Sequence, residues 1–301
     1  MTTPSASNSE SSGDTTHKFF EMPAAFLQES GVVLLREPAS SDAKKLLVSL
    51  LEGTYKKPFV VDDGIMRRLY FSLSYVQSEM DIKAPDELNI AYTRKMMSFL
   101  LFLPRPKHVM IVGLGGGSLT KFCYRKLART RITTIEINDD VIAFGELFGV
   151  PPPDERLAIV HADAVEYLAR TDERADVILL DGCDKHGVAP AFCDAGFYHN
   201  LRARLKPDGM LAMNLVGSNE TSRTYVDLIS DAFLDRVIVQ HVSADGNRVV
   251  FAFNEPGFSP DWPHIEREAK KLAQQYDLDF PAFARKLQRS YQRQAPKHRR
   301  G

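Results

Sequence analysis

Cysteine is scarce in this chain: Cys123, Cys183 and Cys193 are the only three, and no two form a C-x-x-C pair. An odd, dispersed set builds neither a disulfide framework nor a thiolate zinc site, and it suits a reducing compartment. Long apolar runs are missing too. None approaches the roughly 20 residues that a membrane-spanning helix needs, which excludes an integral helical membrane protein. Net charge is almost absent, with 38 basic side chains against 39 acidic ones. Wholesale nucleic-acid binding is therefore not expected. The opening MTTPSASNSESSGDTT has neither the basic nor the apolar stretch of a secretory leader, so a cytoplasmic location is expected. What remains, 301 residues that are 44% hydrophobic and 26% charged, is the profile of a soluble globular protein.

The chain divides by pattern into four stretches. Residues 1–17 are rich in Ser and Thr and are expected to be disordered. Residues 18–105 alternate short apolar stretches with turn signals. Pro58 to Val61, Asp62-Asp63-Gly64 and Ile65 to Leu73 read as a β-hairpin, because Asp-Gly supplies the positive φ angles of a tight turn. Ala91 to Leu103 then reads as a helix closed by Pro104 and Pro106.

Residues 106–258 change to strand–helix alternation. Strands are predicted at His108–Val112, Arg131–Ile137, Leu157–Val160, Asp176–Leu180 and Met210–Val216. Nearly continuous apolar strands spaced by helices imply a parallel sheet covered on both faces. Arg236–Val242 and Arg248–Phe253, joined through Asp245-Gly246, read as a terminal antiparallel hairpin. The fold class is thus α/β: the Rossmann-like sheet of class I S-adenosylmethionine (AdoMet) transferases, with a small N-terminal β-rich region. Residues 259–301 read as charged helices broken near Pro281. Arg285 to Gly301 carries seven Lys and Arg and no acid, which reads as a solvated basic end, with a contact to a polyanion such as RNA or acidic lipid as the alternative.

Gly113-Leu114-Gly115-Gly116-Gly117 lies where the first of these strands turns into a helix. Gly113, Gly115 and Gly117 let the backbone approach a ligand closely. The dinucleotide spacing G-x-G-x-x-G would need glycine at 118, where this chain has Ser118, so hydride transfer is disfavoured. Glu136 stands 19 residues beyond Gly117 at a strand end, where a carboxylate accepts from ribose hydroxyls. The alternative for Glu136 is a solvated strand end. Asp163 is placed either to accept from an adenine amino group, with Ala164 beside it, or to cap the helix that follows.

The fourth strand ends in Asp181-Gly182-Cys183-Asp184, at the edge where open α/β sheets carry their active sites. Two carboxylates three residues apart suit a cationic amine. One holds an ammonium while the other removes a proton, because only the neutral amine has the lone pair needed to attack a sulfonium carbon. The competing reading is an Asp- and Gly-rich turn.

In order and spacing, GLGGGSLTKF, TTIEIN, HADAVEYL, VILLDGCDKHG and LKPDGMLAMNLVG resemble the core of the spermidine synthase family of polyamine aminopropyltransferases. The upstream FVVDDGIMRRLYFSLSYVQSEMD and AYTRKMM resemble its N-terminal hairpin and linking helix. The likeness spans about residues 55–255. It implies a transferase of polyamine biosynthesis that binds decarboxylated AdoMet and an amine and forms a homodimer or homotetramer, with no metal. Gln77 and Glu136 would contact the nucleoside, and Asp163 and Ala164 the adenine. Asp181 would be the general base, Asp184 would help hold the amine, and Tyr92 would line the site.

Two departures mark a divergent, spermidine synthase-like member. The family's loop carries an Asp, at the position of Gly116, that selects the decarboxylated cofactor. After Tyr92, Thr93 and Arg94 replace a His or Gln and a Glu, so an acid is lost and a cation gained near the amine. AdoMet-dependent methyl transfer is therefore the alternative reading, and a non-catalytic binder of adenosyl ligands is the third.

Overall fold

A computed structural model of the chain describes residues 19–73, 75–184, 187–244 and 246–294, although the side chains of Cys183 and Asp184 fall outside the description. The terminal stretch expected to be disordered lies outside the described residues, as does the basic end beyond residue 294.

Two main sheets organise the described residues. The first is antiparallel and runs in chain order through β1 (Phe20–Pro23), β2 (Val32–Leu35), β3 (Phe59–Asp62), β4 (Met66–Ser72) and β5 (Tyr75–Asp81). The predicted hairpin is β3–β4, and its turn forms as the sequence requires. Gly64 has φ +82°, and the Asp63 carboxylate accepts from the amides of Ile65 (2.8 Å) and Met66 (2.6 Å). Strands β1 and β2, of four residues each, carry too short a pattern to be read individually, and β5 and helix α1 (Ala43–Leu51) complete the region around the hairpin.

The second sheet contains β6 (His108–Val112), β7 (Arg131–Glu136), β8 (Leu157–His161), β9 (Ala175–Leu180), β12 (Leu205–Leu215), β13 (Val237–His241) and β14 (Arg248–Phe253). Its spatial order is β13-β14-β12-β9-β6-β7-β8. The five expected strands pair in parallel, while β14 runs antiparallel to β12 and to β13. Order reverses at β6, between β7 and β9, which creates a crevice at the carboxyl edge of the strands. A short ribbon follows β9, with β10 (Cys183–Asp184) paired to β11 (Gly187–Val188).

Period-two alternation between two cores explains the continuous apolar runs at residues 109–112 of β6 and 177–180 of β9. Val109 and Ile111 of β6 and Val177 and Leu179 of β9 face one core. Met110, Val112, Ile178 and Leu180 face the other. The first core is covered by α3 (Ser118–Lys126), α8 (Trp262–Gln275) and α9 (Phe280–Gln294). The second is covered by α5 (Ala164–Arg170), α6 (Ala195–Ala203) and α7 (Asn219–Ala232). The break before α9 falls at residues 276–279, so Pro281 sits in that helix's first turn, where its missing N–H costs nothing. The linking helix also differs from expectation. Helix α2 (Ala91–Met96) tightens into a 3-10 turn at Met97–Leu101 instead of continuing as α-helix, and every residue of that turn is buried.

The sheets meet over the glycine loop. Val60, Leu69 and Met80 pack with Leu114, Phe148 and, from helix α4 (Asp139–Phe144), Val141 and Phe144. Arg36, just past β2, adds ion pairs to Asp139 and Asp140, the latter at 3.0 Å. The antiparallel sheet thus covers one side of the crevice.

Candidate active site

Four elements converge on Asp181. Its amide continues the β6–β9 ladder by donating to the Val112 carbonyl at 2.9 Å, which fixes the backbone beside the glycine loop. From α2, the Tyr92 hydroxyl donates to Asp181 Oδ2 at 3.0 Å. From β12, Asn214 Nδ2 donates to Asp181 Oδ1 at 2.9 Å. From the turn between β13 and β14, Asn247 Nδ2 donates to Asn214 Oδ1 at 3.0 Å. Burial pushes the Asp181 carboxyl above the ordinary carboxylate range, and the donors Asn214 and Tyr92 pull it back. A carboxylate offers about four acceptor positions, so two held by neighbours leave room for a proton from a substrate.

The glycine loop is shaped by contacts that no side chain would allow. Gly113 has φ +93°, and a Cβ there would stand 2.3 Å from the Asp181 carbonyl oxygen. At Gly116 a Cβ would meet Ser78 Oγ at 2.5 Å and Phe148 Cδ1 at 2.9 Å. A side chain at position 116 would therefore require Ser78 and Phe148 to shift, and the sequence carries no acid there.

Glu136 is 8% exposed, which corrects the solvated-strand-end alternative. Its two oxygens accept from the amides of Leu114 and Asn138, each at 2.8 Å, so it clamps the glycine loop to the start of α4. Acceptor capacity remains for a ligand's hydroxyls. Asp163 caps α5, accepting from Val165 N at 2.7 Å, and Ala164 beside it is buried. Gln77 sits half-buried at a β-bulge. Leu69 opposes Ser78 and Tyr70 opposes Val76, which leaves Gln77 as the extra residue, and Ser78 next to it covers Gly116.

Arg94, the cation gained after Tyr92, donates its guanidinium to the carbonyls of Leu88 and Asn89 (the latter at 2.7 Å), before α2. Thr93 is buried and bonds the Ile90 carbonyl at 2.7 Å. The backbone of Asp184 lies in β10, but its side chain is outside the described residues. Sequence reasoning missed Asn214 and Asn247. The available signal was an amide in the otherwise apolar strand MLAMNLV, which must find partners once buried.

The profile of the spermine/spermidine synthase domain matches residues 89–231. A polyamine aminopropyltransferase of Neisseria meningitidis (serogroup A) is 32% identical over 223 residues, covering 73% of this chain and 85% of that protein. The chain belongs to the spermine/spermidine synthase family. This family member is a transferase of α/β fold. A solved spermidine synthase, in complex with the transition state analogue AdoDATO, shares the fold with a TM-score of 0.57 at 19% identity, over 72% of this chain and 76% of that one. Relatives extend beyond aminopropyl transfer. A homolog of the eEF1A lysine and N-terminal methyltransferase from Drosophila pseudoobscura pseudoobscura is 28% identical over 158 residues, which is 50% of this chain and 24% of that protein. Among the described residues, no helix is long and apolar enough to cross a membrane.

Proposed function

We propose that this member of the family transfers an aminopropyl group from decarboxylated AdoMet to an amine, with Asp181 as the general base. The observation that carries the reading is the half-buried Asp181 carboxylate, held by Tyr92 and Asn214 at the carboxyl edge of β9. Family membership supports an amine as the acceptor.

The residues present suit a sulfonium nucleoside. The glycine loop bares its backbone, Glu136 offers fixed acceptor oxygens for ribose hydroxyls, and Asp163-Ala164 and Gln77 flank the same edge. In the reaction, the amine nitrogen attacks the propyl carbon attached to sulfur. A C–N bond forms as the C–S bond breaks, and its electron pair neutralises the sulfonium, so methylthioadenosine leaves. The proton displaced from nitrogen passes to Asp181. The proposed role of Asp184 is to hold the distal ammonium of the acceptor. Leu73, Tyr75 and Val76 are exposed at the edge of the first sheet, a surface suited to assembly of copies.

A second reading, methyl transfer from intact AdoMet, is favoured by one observation: position 116 is closed by Ser78 and Phe148 and carries no acid to repel the methionine carboxylate. One experiment separates the two. Purified protein given decarboxylated AdoMet and putrescine yields methylthioadenosine under the first reading. Given AdoMet and an amine, it yields S-adenosylhomocysteine under the second. Binding without either product leaves an adenosyl-ligand-binding protein and refutes both.

A further inference from the structure

Asp181 is held through a buried amide that also engages a second amide, that of Asn247. Asn214 is 2% exposed and Asn247 is 7% exposed, so neither amide has water as an alternative partner. The two ends of the Asn214 amide are nearly isosteric. Turned by half a revolution, it would present its oxygen to Asp181, an arrangement that only a protonated carboxyl could accept. Asn247 reinforces the donating orientation that an ionised Asp181 favours, since its Nδ2 stands 3.0 Å from Asn214 Oδ1 and reserves that oxygen. The turn that carries Asn247 is held through its backbone, since the Asn247 carbonyl accepts from Val242 N at 2.8 Å and Gly246 N donates to the Val242 carbonyl at 3.0 Å.

We propose that Asn247 is a positioning residue that fixes Asn214 in the orientation donating to Asp181, and thereby keeps the reaction's base ionised and accepting. The inference rests on the reading of Asp181 as that base. The other groups around Asp181 leave this role to the amide pair. Tyr92, from α2, is the titratable group that contacts it among the described residues. Arg248, one residue beyond Asn247, is turned to α7, where it bonds Ser222 Oγ at 2.6 Å and Asn219. The side chain of Asp184 on β10 lies outside the described residues.

Two substitutions test this in the full-length protein. In Asn247→Asp a carboxylate replaces the donating amide, so Asn214 turns its N–H toward position 247 and its oxygen toward Asp181. In Asn247→Ala the lock is removed without adding charge. The acid limb of the kcat/KM profile is expected to move up by about one pH unit in the alanine variant and further in the aspartate variant. Activity on that limb falls about tenfold or more and recovers as pH is raised. A residue that merely supports the fold would lower activity equally at every pH. Titration of the Asp181 carboxyl by carbon-13 NMR, assigned through Asp181→Asn, reads the same ionisation without turnover. If that signal titrates at the wild-type pH in both variants, the positioning role is refuted. If it moves while Asp181→Asn retains full turnover, the positioning stands and the base assignment falls. Should the aspartate variant not fold, the alanine variant carries the comparison alone.

Discussion

Replacing Asp181 by Asn removes the proposed base while leaving its hydrogen-bond network intact. An asparagine there still accepts from Asn214 Nδ2 through its oxygen. Its own Nδ2 then faces Tyr92 Oη, which rotates to accept, because a phenol both donates and accepts. No buried polar atom is orphaned, and a carboxylate that burial disfavours is gone, so stability should change by less than about 1 kcal/mol. Loss of a positioned base typically costs 10²–10⁴-fold, so turnover should fall by about that factor. The pH profile carries a second signature. A base must be deprotonated to act, so wild-type activity declines as pH falls through the raised pKa of Asp181, and this limb disappears in the variant. The assay is methylthioadenosine release from decarboxylated AdoMet and putrescine, with a thermal melt in parallel. Turnover within about threefold of wild type would refute the base assignment. A collapsed melt would refute the claim that the network rewires.

Three further outcomes follow from the same geometry. In Glu136→Gln one of the two amides of Leu114 and Asn138 meets an NH₂ group instead of an oxygen. Loss of that charge-assisted bond should cost about 1.5–3 kcal/mol and weaken nucleoside binding roughly tenfold, measured by denaturation and calorimetric titration. Gly116→Ala forces a Cβ against Ser78 and Phe148 and should destabilise by about 1–3 kcal/mol; an unchanged urea midpoint would show that the loop has room. Lys121 is 1% exposed and donates to the carbonyls of Pro85 (2.6 Å) and Phe148 (2.7 Å), and burial pushes its pKa down to about 8. Between that value and the ordinary lysine pKa near 10.4, the unfolded chain binds more protons than the folded one, so stability should rise with pH across this window. In Lys121→Met the rise vanishes, which urea melts from pH 7.5 to about 10 would reveal.

The strands of the second sheet were readable because each side of the sheet has its own apolar core, so residues 109–112 of β6 and 177–180 of β9 are apolar at every position. The glycine loop and Glu136 were readable for a related reason: positive φ and a strand-end position are local demands. In the first sheet, strands of four residues, such as β1 and β2, are too short for alternation to stand out from chance. For Arg94 the sequence shows that a cation is present but not that two carbonyls of the preceding turn engage it.

What the sequence by itself determined was therefore the local grammar: which stretches are strand or helix, where the backbone must be bare, and where an acid ends a strand. The tertiary structure alone decided that Tyr92, Asp181, Asn214 and Asn247 form one connected set, and that Ser78 and Phe148 close position 116. The physical reason is that a buried polar group takes whichever partner the strand order brings within 3 Å or so. Strand order arises from packing two cores at once, which no local run of residues specifies.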